Sequence, residues 1–166
     1  MTEFGRCAQI RTLDVANGEG IRVSVFVTGC SHGCKGCFNA AYQDPAYGDR
    51  WTDAQTEALI AALARPQIAG LTLLGGEPME NLWLVPVLEA VREQVDTNIW
   101  IYSGYTFEEI LRDPAKRALL ALTDVLVDGP FVEAAKDLRL AFRGSANQRI
   151  LDVKESLKTK SPVFRA

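Results

Sequence analysis

The chain has 166 residues, with 18 basic and 21 acidic side chains and a formal net charge of −3. Its hydrophobic fraction of 48% and charged fraction of 23% are those of an ordinary globular domain and exclude a disordered or collagen-like chain. No apolar stretch approaches the roughly 18 residues that span a bilayer, and residues 1–6 lack the apolar segment of a signal peptide. We therefore expect one domain over residues 1–166, located in the cytoplasm and without a membrane partner.

Short apolar runs alternate with helical signals along the chain. In chain order the predicted elements are a strand at 23–27, a helix from its cap Thr52 to about Ala64, a strand at 71–74, a helix at 82–95, a strand at 99–102, helices opened by Thr106 and by Asp113 with Pro114, and a strand at 125–127. This alternation predicts an α/β fold with right-handed crossovers and a mainly parallel sheet. A complete (β/α)8 barrel takes about 250 residues, so any barrel here is partial.

Three of the four cysteines lie in a C-x3-C-x2-C loop directly after the first predicted strand, at Cys30, Cys34 and Cys37. Three neighbouring thiols in a reducing compartment suit a metal better than disulfides, which would leave one thiol unpaired. A closed zinc site takes four ligands and an iron–sulfur cubane normally takes four cysteines. Three ligands leave one coordination position vacant, as expected of a site that binds something else.

Cys7 is a possible fourth ligand, but we expect it to be a small buried residue. For His32, we favour an exposed loop position over a ligand or proton-donor role.

Glycine and polar residues follow each predicted strand, and the carboxyl ends of parallel strands share one rim where ligands bind. Gly75 and Gly76 remove side chains, so that the backbone there can approach a small ligand. The carboxylate of Glu77 next to them could pair with an ammonium group or cap the following helix.

The cysteine loop after a first strand, followed by Gly-Gly-Glu-Pro after a second, resembles the radical S-adenosylmethionine (SAM) superfamily. Residues 14–22, together with the loop and its trailing Phe38-Asn39, resemble the activating enzymes of glycyl-radical proteins. Residues 128–131 and 143–149 resemble the activating-protein family of anaerobic (class III) ribonucleoside-triphosphate reductases. The aromatic residue follows the third cysteine as Phe38, whereas many superfamily members carry it just before that cysteine. The resemblance covers roughly residues 10–153 and implies a partial (β/α)6-type barrel.

The resemblance also implies a chemistry. Cys30, Cys34 and Cys37 would hold a [4Fe–4S] cluster whose fourth iron chelates SAM, and reductive cleavage would yield a 5′-deoxyadenosyl radical. That radical would abstract hydrogen from a glycine of the partner, an anaerobic ribonucleotide reductase, with flavodoxin or ferredoxin as electron donor. The implied SAM contacts are Gly75, Gly76 and Glu77 for the amino group, Ser103 for the ribose, and the backbone of Gly36, Cys37 and Phe38 for the adenine. No catalytic side chain beyond the cluster and SAM site is implied.

Two other functions remain open. One is an activase of another glycyl-radical enzyme, of the pyruvate formate-lyase type. The other is a zinc-binding module that joins Cys7 to the three-cysteine loop and contacts nucleic acid through residues 136–166, which carry 8 of the 18 basic and 3 of the 21 acidic side chains. These cations lack interleaved aromatic residues, so we do not expect nucleic-acid binding. Arg143, Asn147 and Arg149 either contact the partner or SAM, which we favour, or cap local turns.

Overall fold

The computed structural model describes residues 3–166, which form strands and helices in alternation. The expectation that residues 1–6 contain no signal peptide falls partly on residues 1 and 2, which lie outside the described residues. The strands are β1 (Arg6–Asp14), β2 (Arg22–Val27), β3 (Asp49–Arg50), β4 (Gly70–Gly75), β5 (Asn98–Tyr102), β6 (Val125–Asp128) and β7 (Arg149–Asp152). The α-helices are α1 (Asp53–Leu63), α2 (Leu84–Gln94), α3 (Phe107–Arg112), α4 (Pro114–Leu120) and α5 (Val153–Thr159). Within residues 3–166, no helix has the length and apolarity needed to cross a membrane.

The strands form one sheet in the order β3-β1-β2-β4-β5-β6-β7. Its centre is parallel, because β2 pairs with β4, β4 with β5, and β5 with β6 in the same direction. At the two sides, β1 pairs antiparallel with β2 and β3, and β7 pairs antiparallel with β6. The four strands predicted from the sequence are the parallel ones, so the prediction of an α/β fold with a mainly parallel sheet is confirmed. The antiparallel strands were not predicted.

The helices α1 to α4 pack against one face of this sheet. Side chains alternate between the two faces of a strand, and the residues directed toward the helices form one apolar core. Its strand members include Val23, Val25, Val27, Leu71, Leu73, Ile99, Ile101 and Leu126, and its helix members include Leu59, Leu63, Leu84, Leu88, Val91, Phe107, Ile110, Leu119 and Leu120. The opposite face carries a different set, namely Arg22, Ser24, Phe26, Thr72, Leu74, Trp100, Tyr102, Val125 and Val127. One face of the sheet is therefore covered by helices, and the other is available to border a cavity.

Three of the four predicted helices, α1, α3 and α4, begin at hydrogen-bonded caps, whereas the N-cap residue of α2, Trp83, makes no side-chain cap bond. The Thr52 backbone N–H donates to Gln55 Oε1 at 2.7 Å, which begins α1. Thr106 and Glu109 cap each other reciprocally at the start of α3. Asp113 accepts from the first turn of α4, where Pro114 occupies a position that needs no N–H donor. Local signals thus set the positions at which these three helices begin.

The segment after β6 is tied back to the sheet by Arg149. Its guanidinium donates to both oxygens of Asp128, at 3.0 and 2.6 Å, and to both oxygens of Glu108. Asp128 is only 1% exposed and also accepts the backbone N–H of Phe107 at 2.7 Å. Arg149 therefore serves the fold internally, which differs from the partner or SAM contact that we favoured. Asn147 donates to the carbonyl of Pro130 and Arg143 to that of Gln148, so they also close local turns.

We predict that Arg149→Gln lowers the free energy of unfolding by about 2–3 kcal/mol, because it leaves the buried Asp128 carboxylate without its cation. Chemical denaturation of the cluster-free protein measures this change. Arg139→Gln is the matched control, since Arg139 pairs with Asp137 on the surface and its side chain is 91% exposed. Equal stability of the two variants would contradict the role assigned to Arg149.

Candidate active site

A cavity of about 470 Å³ lies at the carboxyl ends of the parallel strands. Its lining includes nearly all the residues that the sequence singled out, namely Cys30, Cys34, Cys37, Phe38, Gly75, Gly76, Glu77 and Ser103. Gly36 is not part of this lining and instead packs against the side chain of Glu133. The lining also includes residues for which no contact was predicted, namely Arg11, Ala16 and Asn17, and a far wall formed by Leu138, Leu140 and Phe142. The structure thus brings the two main motifs to one cavity.

The cysteine loop leaves β2 and is anchored at its base. The Gly29 N–H donates to the carbonyl of Tyr42 at 2.8 Å, and the Cys30 N–H donates to that of Gln43 at 3.1 Å. Burial, with the negative charges of Glu77 and Glu80 adding to it, raises the pKa of the Cys30 thiol to about 11. That thiol is therefore protonated at neutral pH, and a metal bound there has to displace the proton.

The donor set suits a metal cluster better than a single ion. Within residues 3–166, no group of three or more His, Cys, Asp or Glu side chains meets at one metal position, although Cys30, Cys34 and Cys37 line the same cavity. In an iron–sulfur cubane each thiolate binds a different iron atom, so its ligands need not meet at one point. Cys7 lies in β1 and is 4% exposed within the core, where burial raises its pKa to about 11. It is a buried core residue, as expected, and does not line the cavity.

The carboxylate of Glu77 is buried and saturated with hydrogen bonds. Its Oε2 accepts from the Met79 N–H and the Ser103 hydroxyl, both at 2.9 Å. Its Oε1 accepts from the Gly104 N–H at 2.7 Å and from His32 Nε2 at 2.6 Å. The bond to Met79 caps the 3-10 turn Pro78–Glu80, one of the two roles that the sequence left open for Glu77.

The expectation that His32 is exposed loop surface is wrong. Its side chain is only 18% exposed, and its ring packs edge-on against Tyr105 with 4.5 Å between the ring centroids. The hydrogen bond with Glu77 raises the pKa of His32, and the negative charges of Glu77 and Glu80 add to this effect. The contact joins residues 45 positions apart, so no local pattern in the sequence indicated it.

Gly75 and Gly76 sit where no larger residue fits. Gly75 has a φ of +116°, and a Cβ atom there would lie 2.4 Å from the carbonyl oxygen of Val27. A Cβ atom on Gly76 would lie 2.7 Å from the carbonyl oxygens of Gly29 and Tyr42. The two glycines therefore allow the end of β4 to pass directly beneath the cysteine loop.

Phe38 is exposed, whereas Ser103 is buried. Phe38 stands at the cavity mouth, 56% exposed, against the ring of Phe131 at 4.9 Å and with Lys136 Nζ 5.1 Å from its ring centroid. Ser103 is 5% exposed, and its hydroxyl both donates to Glu77 and accepts from the Tyr105 N–H at 3.0 Å. The hydroxyl of Ser103 is therefore already engaged within the protein.

Within residues 3–166, three buried polar atoms without partners belong to residues beside Phe142 of the far wall. Among the described residues, the buried Trp100 Nε1, Tyr102 Oη and Arg143 Nε have no hydrogen-bond partner. Tyr102 and Arg143 belong to the cavity lining. Phe142, which precedes Arg143 in the chain, packs edge-on against Trp100 and adopts a φ of 60°, which is uncommon for a residue with a side chain. No motif or periodicity in the sequence indicated this cluster.

Comparison with known proteins identifies relatives of this chain and an iron–sulfur cluster domain within it. Residues 16–151 match the family model of the 4Fe-4S single cluster domain. The chain is also similar to curated proteins named anaerobic ribonucleoside-triphosphate reductase-activating protein. The Vibrio cholerae protein is 43% identical over 148 residues, 86% of this chain and 94% of that relative. The Haemophilus influenzae protein is 42% identical over 143 residues (82% and 91%), and the Escherichia coli K12 protein is 35% identical over 146 residues (84% and 94%).

We predict that Glu77→Gln destabilises the cluster-free protein by about 2–3 kcal/mol, because one amide oxygen cannot accept four hydrogen bonds and the amide group opposes the remaining donors. Thermal or chemical denaturation measures the change. Glu57→Gln on the exposed side of α1 is the control and should leave stability unchanged. A Glu77→Gln protein as stable as the control would show that the four bonds do not stabilise the fold.

Proposed function

Since the chain belongs to the family of anaerobic ribonucleoside-triphosphate reductase-activating proteins and to that of the 4Fe-4S single cluster domain, we propose that it is a radical SAM enzyme that activates its partner reductase in the cytoplasm. The observation that carries the proposal is the shared cavity. The three-cysteine loop and the Gly-Gly-Glu-Pro turn line the same space at the carboxyl ends of parallel strands.

We assign the cluster to Cys30, Cys34 and Cys37, whose thiols line that cavity. When bound together, the reduced cluster and SAM supply a 5′-deoxyadenosyl radical, which abstracts a hydrogen atom from a glycine of the reductase. The protein's part is to bind, orient and exclude water. Residues on the outer side of the loop, Ser31, Gly33 and Lys35, are exposed. A flavodoxin or ferredoxin can approach there, and we propose such a protein as the electron donor.

We assign the amino group of SAM to the backbone of Gly75 and Gly76, beside the negative charge of Glu77. The reason is that the Glu77 carboxylate already accepts four hydrogen bonds, so its contribution is charge and the shape of the turn. Ser103 is assigned to the ribose. To bond to it, the Ser103 hydroxyl has to give up one of its present hydrogen bonds, to Glu77 or from the Tyr105 N–H. The backbone of Gly36, Cys37 and Phe38 is assigned to the adenine, and the exposed position of Phe38 at the mouth supports this.

The far wall suits a peptide segment of the partner. Leu138, Leu140 and Phe142 are apolar, and Leu138 is 82% exposed, so this wall offers apolar surface to a peptide. Tyr102 and Arg143 also line the cavity; their Oη and Nε atoms are buried and lack partners among the described residues, so they donate to peptide carbonyl groups only if their side chains turn toward the cavity. We propose that this wall receives the glycine-bearing segment and orients it toward the SAM side.

We also propose that the sheet is the wall of a partial (β/α)6-type barrel within a single domain over residues 1–166. In a barrel of this kind the helices lie outside and the opposite face of the strands surrounds the site. The packing of α1 to α4 against one face, with the cavity bordered by Phe26, Leu74, Tyr102 and Val127 of the other, supports this arrangement.

The ligand assignment predicts that Cys34→Ser fails to hold the cluster. After anaerobic reconstitution we expect about four iron atoms per wild-type chain and a substantial loss in the variant, measured by iron and sulfide content and visible absorbance. Cys7→Ala is the control and should retain the cluster, because Cys7 lies away from the cavity. Full iron content and SAM cleavage in Cys34→Ser would contradict the assignment.

The partner assignment predicts a glycyl radical on the anaerobic ribonucleotide reductase when the reduced, SAM-loaded protein is mixed with it. Electron paramagnetic resonance detects this radical directly. A pyruvate formate-lyase serves as the comparison and should remain without a radical. The opposite pattern would assign the protein to the activases of other glycyl-radical enzymes.

A further inference from the structure

Two carboxylates outside the cysteine loop hold the residues between its first two cysteines. The Ser31 N–H donates to Glu80 Oε1 at 3.0 Å, and the Ser31 hydroxyl donates to Glu80 Oε2. His32 Nε2 donates to Glu77 Oε1 at 2.6 Å, because a carboxylate oxygen facing it can only accept. The loop between Cys30 and Cys34 is thus bonded at two successive residues to the turn that follows β4.

Tyr105 links the contact between the cysteine loop and the turn after β4 to the segment that follows β5. Its hydroxyl donates to Glu80 Oε2 at 2.6 Å, and its ring packs edge-on against His32. Lys116 of α4 places Nζ 4.8 Å from the centroid of the Tyr105 ring. Gly104 leaves the space that the imidazole occupies, since a Cβ atom there would lie 2.7 Å from the His32 ring. The side chains therefore form a closed set that joins the cysteine loop to the ends of β4 and β5.

On the basis of the cluster assignment proposed above, we infer that Glu80 and Tyr105 are positioning residues that hold the segment between Cys30 and Cys34 in its cluster-binding conformation before the cluster arrives. A loop that is ordered in advance loses less conformational entropy when it binds. Glu80 lies beyond the Gly-Gly-Glu-Pro sequence, and the resemblance assigned it no role.

The negative charge of Glu77 and Glu80 indicates that these residues act on the cysteine loop through their hydrogen bonds. On electrostatic grounds alone, two carboxylates oppose an anionic cysteine loop. Hydrogen bonds offset this repulsion, because Glu77 accepts one from His32 and Glu80 accepts others from Ser31 and Tyr105.

The test uses the variants Glu80→Ala, Glu80→Gln and Tyr105→Phe, with Glu57→Ala and Tyr47→Phe as controls on exposed residues. The first readout is hydrogen exchange at the Cys37 amide in the cluster-free protein. This amide donates to the carbonyl of Cys34 at 3.3 Å and bonds to neither carboxylate, so it reports the conformation of the loop rather than the deleted bond. The second readout is the rate of cluster assembly during anaerobic reconstitution.

We expect Glu80→Ala to speed exchange at Cys37 by about three- to tenfold and to slow cluster assembly by a similar factor, with the melting temperature unchanged. Tyr105→Phe should act in the same direction but less, because Ser31 keeps its bonds to Glu80. Glu80→Gln should rescue part of the effect, since its amide oxygen keeps one acceptor.

Exchange and assembly rates equal to those of the control variants would overturn the inference. If Glu80→Ala lowers the melting temperature, the exchange and assembly rates of Tyr105→Phe decide whether the inference stands, because that variant removes one hydroxyl and retains the ring. Failure of the proposed function has a different signature. The wild-type protein would then assemble no cluster, while the exchange at Cys37 would still distinguish Glu80→Ala from Glu57→Ala.

Discussion

A buried carboxylate at the end of β4 organises the site. An ionised carboxylate that is 1% exposed is costly unless donors surround it, and Glu77 meets this requirement with four. The donors come from three parts of the chain: the cysteine loop through His32, the following turn through Met79, and the end of β5 through Ser103 and Gly104. Satisfying one charge therefore fixes the relative positions of the segments that line the cavity.

The sheet makes that arrangement possible. Parallel strands bring their carboxyl ends to one edge, so segments far apart in sequence, after β2, β4 and β5, become neighbours. The absence of side chains at Gly75 and Gly76 lets the backbone after β4 run within contact distance of Gly29 and Val27. With α1 to α4 on one face, the other face remains free for Arg11 of β1, for Ala16 and Asn17 after it, and for the segment of residues 129–148, which complete the cavity.

Local sequence signals predicted the parallel strands, which are continuous apolar runs, and the helices α1, α3 and α4, which begin at capping residues. α2 was predicted as well, although its N-cap residue Trp83 makes no side-chain cap bond. β1 was missed because irregularities in its pairing, between Cys7 and Gln9 and between Arg11 and Asp14, break the alternation of apolar and polar residues. β7 has only four residues, with charges at both ends. The cysteine loop and the Gly-Gly-Glu-Pro turn were recognisable as motifs. Their connection through His32 was not, because tertiary contacts leave no periodic signal.

Polar atoms without partners among residues 3–166 lie next to the far wall of the cavity. They belong to Trp100 and Tyr102, which pack with Phe142, and to Arg143, which follows it in the chain, and the left-handed backbone of Phe142 is itself unfavourable. Buried polar atoms without partners cost about 1–3 kcal/mol each, so a wall selected for stability alone would pair or remove them. The fold tolerates this cost because the segment is anchored beyond it by the ion pair of Arg149 with Asp128. Such local conflict is typical of a surface whose partners arrive from outside the chain, and two of these residues, Tyr102 and Arg143, line the cavity proposed for the peptide.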